Sequence, residues 1–359
     1  MKNKPRGEHK LPVRMTLVDQ AVEFIRQALR EDRWGGEFPS ESELGRELGV
    51  SRGTLRRALT VLFDDGVLTP GGRGGRHQIA VTAARRQPAS TRSGDLIRIL
   101  SPQPRFILGD QTQLVLQTAS EALGRAGLHL EFDYHPGLWK LRRPNSALRR
   151  ITAQPDTAGW LLYRSTQAVQ EWFAQSEIPA VALGQVYPEV PLSYAAFDLV
   201  ASCRHAAGVF AARGRRRVVF LTVENATAGD HASGQAFIEA AGLRSRTVAY
   251  DDTVEGLCHA LDSLLVERPA PNGYLVAIPN HVPATIGHLN RRGCLVPGQA
   301  AVISRMDARL LVESIPSVAR YEMDAERLGR GIARLLRQSI NSKRKGGPGT
   351  HIVMPEFVD

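Results

Sequence analysis

Three cysteines in 359 residues, Cys203, Cys258 and Cys294, stand far apart and form no Cys-x-x-Cys pair. That spacing points to neither a zinc knuckle nor a disulfide framework, and the thiols fit a reducing compartment. Long apolar runs are missing as well: none approaches the roughly 18 residues that span a bilayer. The basic start, MKNKPRGEHKLPVRMTL, is not followed by an apolar segment with a small-residue cleavage site. These absences predict a cytoplasmic protein with no membrane partner. Catalytic spacing is absent too. There is no His-Glu-x-x-His, no Gly-x-Ser-x-Gly and no Gly-x-Gly-x-x-Gly opening a helix after a strand, so no enzyme activity, metal or cofactor is expected. Internal repeats and long low-complexity tracts are also lacking, which excludes a solenoid.

What is present is positive charge. Lys and Arg number 46 against 36 Asp and Glu, a formal net charge of +10, which favours an acidic partner such as nucleic acid. The excess is local: between Arg46 and Arg92 nine basic residues face three acids. The length suggests two or three domains, and the polar stretch TAARRQPASTRSGD reads as a linker. The expected division is therefore a small basic domain over 1–81, a linker over 82–95 and a larger domain over 96–359.

In the first domain, Val18, Ala21, Val22, Ile25, Ala28 and Leu29 recur at helical spacing and predict a helix from Thr16 to Glu31. Ser40 and Glu43 form a capping box for a short second helix. Gly49 supplies the turn, and Ser51 caps a third helix whose inner stripe is Leu55, Ala58, Leu59 and Leu62. That stripe leaves Arg52, Arg56 and Arg57 on other faces. An arginine there could take guanine O6 and N7 or clamp a phosphate; alone, it fits a solvated cationic face equally well. The next stretch, VLT-PGGRGGRH-QIAV, reads as a hairpin whose glycine-rich tip carries Arg73, Arg76 and His77. It lacks the Gly-Lys-Ser/Thr of a phosphate-binding loop. Helix-turn-helix followed by a basic hairpin makes a winged helix suited to double-stranded operator DNA.

FPSESELGRELGVSRGTLRRALTVLFDDGVL followed by GGRGG resembles the gluconate-repressor (GntR) family of bacterial regulators over roughly Thr16 to Ala80. The resemblance implies DNA contacts from Arg52, Thr54 and Arg56 and from Arg73 and Gly74 in the wing; Ser40, Ser51, Arg57 and Arg76 complete the candidate set. Ser42 stands where the family usually has arginine, so a common contact is missing.

Beyond the linker, short apolar runs (LIRIL, HLEFDY, AGWLLY, PAVALG, RVVFLT, GYLVAI, QAAVIS) alternate with helical stretches. That pattern predicts an α/β fold with doubly wound parallel sheets, and its length implies two of them. IPAVALG, FDLVASCRHAAGVFAARGRRRVVFL and LVAIPNHVPATIGHLNRRGCLVPGQAAVIS resemble the sensor domain of the lactose/galactose-repressor (LacI/GalR) family, itself similar to periplasmic sugar-binding proteins. The resemblance implies a two-lobed sensor, a homodimer and a sugar-like effector in a cleft at the carboxyl ends of the strands. The expected crossings between lobes are Gly184 to Tyr194 and Pro316 to Met323, with a helix from Asp324 to Ile340 returning to the first lobe. The family's sugar-binding arginine corresponds to His231, its Asn-Asp pair to Asn280 and His281, and its Asp-Asp pair to Met306 and Asp307. Asn280, Asp307, His231, His281, Ser304 and Arg305 are the candidates from the second lobe, and Phe106, Tyr163, Arg164 and Ser165 those from the first. Each could equally be a helix cap or packed loop residue. The losses at these positions put an ordinary sugar in doubt. Together the two resemblances imply a ligand-controlled transcription regulator, a repressor by analogy with most relatives. A ligand-independent DNA-binding dimer and a solute-binding module without specific DNA recognition remain open.

Overall fold

A computed structural model of the chain describes residues 17–30, 34, 38–64, 68–69, 78–79, 94–242, 244–341 and 347–359. The chain divides into two compact units, Met1–Ser90 and Thr91–Asp359.

In the first unit the helical spacing produces α1 (Leu17–Arg30), whose Ala21, Val22, Ile25 and Ala28 are buried. Helix α2 (Glu41–Leu48) begins at the Ser40 capping box: the Ser40 hydroxyl accepts from the Glu43 amide, and the Glu43 carboxylate accepts from the Ser40 amide. It ends at Gly49, whose φ of 63° lies in the left-handed region that glycine enters without a Cβ penalty. Helix α3 (Arg52–Asp64) starts where the Ser51 Oγ accepts from the Thr54 amide at 3.2 Å. Its stripe of Leu55, Ala58, Leu59 and Leu62 is buried against Ile25, Phe38, Leu44 and Leu68. Each fully buried leucine contributes about 1.5–3 kcal/mol, so this small core rests on few side chains. Strands β1 (Leu68–Thr69) and β2 (Gln78–Ile79) pair antiparallel, giving a helix-turn-helix with a hairpin. The hairpin tip, with Arg73, Gly74 and Arg76, lies outside the described residues, as does most of the expected linker.

The second unit holds two six-stranded sheets. Lobe one has the strand order β4 (His129–Tyr134), β3 (Leu96–Ser101), β5 (Thr157–Tyr163), β6 (Ala180–Leu183), β7 (Ser193–Phe197) and β13 (Thr350–Val353), all parallel. Ile97 and Ile99 of β3 face α4 (Asp110–Gly124) and α12 (Ala325–Asn341), whereas Leu100 faces α5 (Asn145–Thr152) and α6 (Gln167–Gln175). In lobe two the order is β9 (Ser245–Tyr250), β8 (Val218–Val223), β10 (Gly273–Val276), β11 (Ala301–Ser304), β12 (Ala319–Glu322) and β14 (Glu356–Val358); only β14 runs antiparallel to its neighbour. Val218 and Phe220 pack on α7 (Leu199–Ala212) and α8 (Ala228–Ala241), while Val219 and Leu221 pack on α9 (Val254–Leu265) and α10 (Val282–Arg291). Sheets covered on both faces explain the nearly continuous apolar runs in the sequence. The fold is α/β and doubly wound.

The crossings differ from the expected ones. The chain leaves lobe one after β7, at Phe197–Leu199, because Ser193–Phe197 is itself a strand of lobe one. Its Ala195 and Ala196 are weak strand formers by composition, yet both are buried, and Ala195 shares a core with Leu328 and Ile332 of α12. The second crossing follows β12, which belongs to lobe two, and carries the chain into α12. Strands β13 and β14 lie in different lobes, so a third crossing separates them. On its return α12 packs tightly on α4: a Cβ at Gly329 would lie 2.6 Å from the Val115 carbonyl oxygen.

Candidate functional site

On the first unit, Arg52, Arg56 and Arg57 of α3 are exposed, opposite the buried stripe. Arg56 Nε donates to Glu41 Oε2 at 3.1 Å, a partly exposed pair that a phosphate could displace at little cost. Ser51 and Thr54 join hydroxyls at 3.0 Å at the start of α3, whereas the Ser40 hydroxyl is engaged by the Glu43 carboxylate. The face therefore offers arginine donors beside two hydroxyls. Phosphates and base edges accept such donors in a major groove.

In the second unit a cavity of about 160 Å³ opens between the lobes. Lobe one contributes Gln111 and Thr112 from the start of α4, Tyr163, Arg164 and Ser165 after β5, and Gln185 after β6. Lobe two contributes Thr227, Gly229 and Asp230 where α8 begins, and Arg305 and Met306 after β11. All these segments lie at carboxyl ends of parallel strands, where doubly wound sheets leave a crevice.

A buried ion pair forms the lobe-two side. Arg305, 3% exposed, donates from Nη2 to Asp230 Oδ1 at 2.6 Å, and its guanidinium lies 5.2 Å from the Phe220 ring centre. Oδ2 of Asp230 accepts from the amide and hydroxyl of Thr227, both at 2.9 Å. Burial alone would raise the Asp230 pKa; the Arg305 charge and the Thr227 hydrogen bonds outweigh it and hold the carboxyl at about 2. Across the cleft, Arg164 is a non-glycine residue at φ 49°, a backbone state that costs energy unless its surroundings impose it. The Trp139 indole N–H donates to its carbonyl and helps to hold it there. Among the described residues two side-chain hydrogen bonds join the lobes: Gln111 Nε2 donates to Asp307 Oδ2 at 2.9 Å, and Arg164 Nη2 donates to the Asn225 carbonyl at 3.4 Å.

Of the residues expected in the cleft, Tyr163, Arg164, Ser165 and Arg305 line the cavity, and Asp307 abuts it through Gln111. Ser304 is buried and its hydroxyl donates to the Met306 carbonyl, shaping the loop that presents Arg305. Phe106, Asn280 and His281 lie outside the lining residues. His281 Nδ1 pairs with the Tyr250 hydroxyl at 2.7 Å, and burial lowers its pKa. His231 points to solvent from α8; its neighbour Asp230 faces the cavity, since one residue along a helix turns the side chain by about 100°. The sequence reading passed over Gln111, Thr112, Gln185, Thr227 and Asp230. The Thr227-x-x-Asp230 capping box was readable in the sequence, as was the rule placing sites at strand carboxyl ends. Among the described residues no three His, Cys, Asp or Glu side chains gather as a metal site would require, and no helix is long and apolar enough to cross a membrane.

Comparison with known proteins agrees with these features. Residues 17–77 match the family of bacterial regulatory proteins, gntR family, and residues 207–359 match the periplasmic binding protein-like domain. No curated protein matches the chain in sequence. Among solved structures, the transcriptional regulator CelR in complex with cellobiose is 18% identical with a TM-score of 0.64, covering 89% of this chain and 98% of its own. A LacI-family regulatory protein from Chloroflexus aggregans is 16% identical with a TM-score of 0.63, covering 74% of this chain and 97% of its own. A LacI-family transcriptional regulator from Enterococcus faecium with bound ribose is 16% identical with a TM-score of 0.59 and the same coverages. At such identities the likeness is one of fold. The chain thus joins a segment matching the gntR family of bacterial regulatory proteins to a segment matching the periplasmic binding protein-like domain, with a fold shared by solved LacI-family regulators.

Proposed function

We propose that this protein is a dimeric, sequence-specific repressor of transcription controlled by a small carbohydrate or carbohydrate derivative. Arg52, Thr54, Arg56 and Arg57, with Ser51, face operator DNA from α3, and Arg73, Gly74 and Arg76 reach it from the wing. Residues 1–81 form the DNA-binding domain, 82–95 the linker, and 96–359 the effector-binding and dimerisation domain. The observation that carries this reading is the cavity lined by both lobes in a chain that also bears a gntR-type helix-turn-helix. A ligand bridging both lobes favours one lobe angle over another, and only such a preference lets it alter DNA affinity. The cellobiose and ribose held by structural neighbours support the choice of effector class. The cavity is smaller than the ~300–1,000 Å³ of drug-sized sites and suits a compact ligand.

The test is a gel-shift titration on the DNA upstream of the gene, at several salt concentrations, with and without a panel of sugars and sugar derivatives. The expected result is a preferred sequence, a steep salt slope and a ligand that shifts the affinity. A shallow slope without sequence preference would refute the DNA reading. Operator binding indifferent to the whole panel would refute the sensor reading.

A further inference from the structure

We infer that the effector carries an anionic group, a carboxylate or a phosphate, held between Arg164 of lobe one and Arg305 of lobe two. This deepens the sensor reading and rests on it. The argument begins with the charges that line the cavity: two arginines and a single carboxylate, Asp230. That carboxylate is already committed. Oδ1 holds Arg305, and Oδ2 holds the amide and hydroxyl of Thr227. The hydroxyls of a neutral sugar both donate and accept but carry no charge to offset the guanidiniums, and three of the roughly four acceptor sites of the lining carboxylate are already taken. Gln170 is committed in the same way, its Oε1 accepting from the Tyr187 amide and its Nε2 donating to Ser165.

The charge, in contrast, is uneven: two guanidiniums line the cavity against one carboxylate, and the unpartnered acceptors nearby, Gln111 Oε1 and Asp307 Oδ1, sit at the contact between those two residues. Among the described residues the Arg164 guanidinium makes no ion pair and a single hydrogen bond, 3.4 Å to the Asn225 carbonyl, which is long for an N–H···O contact. Arg305 spends only Nη2 on Asp230; its Nε and Nη1 are buried without a partner. A buried donor left unmade carries a desolvation penalty, greater for a charged group, and a ligand oxyanion removes it. Guanidinium donors bind carboxylate and phosphate through charge-assisted hydrogen bonds stronger than neutral ones. Because the two arginines stand on opposite lobes, an anion reaching both would act as a clamp that favours closure, and a neutral molecule of the same shape would lack that clamp.

The test uses the full-length protein. Melting temperature and tryptophan emission, with Trp139 touching the Arg164 backbone, are recorded with neutral mono- and disaccharides and with their uronic acids and sugar phosphates, glucose, glucuronate and glucose 6-phosphate among them. Inorganic phosphate and sulfate control for unspecific salt effects. The expected result is that an acid or a phosphate ester raises the melting temperature by several degrees where its neutral parent does not, and that Arg164→Gln weakens it at least tenfold. Which class responds separates carboxylate from phosphate. Arg164 is partly exposed, so the variant should fold; an unchanged melting temperature without ligand checks this. A neutral sugar that binds equally well to wild type and Arg164→Gln, with charged derivatives no tighter, would overturn the anion inference and leave the sensor standing. Failure of every compound to change melting or DNA affinity would overturn both.

Discussion

The hydrogen bond between Gln111 and Asp307 places a titrating carboxyl at a contact between the lobes. Asp307 is 8% exposed and bonded to Gln111 across the cleft. Burial pushes its pKa from 3.8 up to about 6; nearby Glu322 adds to the rise, while backbone amides and Arg320 oppose it. The raised value means that the folded state prefers the neutral acid. The associated stability is fully present below about pH 3.8 and is lost as the pH rises through about 6. At 1.36 kcal/mol for each pH unit, the ionised carboxyl costs the fold about 3 kcal/mol at pH 8. Two acceptors at this contact, Gln111 Oε1 and Asp307 Oδ1, are buried without a partner, and protonation turns one of them into a donor. Asp307→Asn keeps the size, removes the charge and supplies an N–H. It should therefore unfold about 3 kcal/mol later than wild type in denaturant at pH 8, and the gap should close toward pH 4. Denaturant titrations of both proteins at pH 4.5, 6 and 8, followed by tryptophan fluorescence, measure this. A variant no more stable than wild type at pH 8, or one stabilised equally at every pH, would refute the reasoning.

Four further outcomes are expected. Arg52→Ala and Arg56→Ala should each weaken operator binding by about 1–3 kcal/mol in a gel shift at fixed salt; affinity indifferent to both would remove α3 as the reading helix. Gly329→Ala should lower stability by about 1–3 kcal/mol, because its new methyl meets the α4 backbone. Gly124→Ala, with open space around its Cβ position, should be neutral or slightly stabilising in the same thermal melts. Ser40→Ala should cost about 0.5–2 kcal/mol through loss of the capping box, read by circular dichroism on the full chain.

Much of the fold could be read before the structure because local signals agreed with tertiary ones. The α1 and α3 stripes, the Ser40 cap and the Gly49 turn each follow from short-range chemistry. Two of the strands that the apolar runs do not predict explain themselves. Ser245–Tyr250 is an edge strand with an exposed arginine and threonine, and Ser193–Phe197 is built on small residues that serve the approach of α12. The cleft was harder, since its composition depends on which residue of a helix turn faces inward. Alignment to a family arginine selected His231, and the helix presents Asp230. Arg305 was among the candidates, but its pairing with a residue 75 positions earlier is visible only in three dimensions.

The three crossings between lobes bear on how this unit could be taken apart. Lobe one is assembled from residues before Leu199 together with α12 and β13, and lobe two is interrupted by that same return. No single cut of the gene yields either lobe whole. A fragment ending at Met323 would strip α12 from the face of α4 and expose Ile97, Val115 and Leu161, which α12 covers. Thus the two lobes of the second unit must be made and folded as one piece, whereas the helix-turn-helix is continuous in sequence.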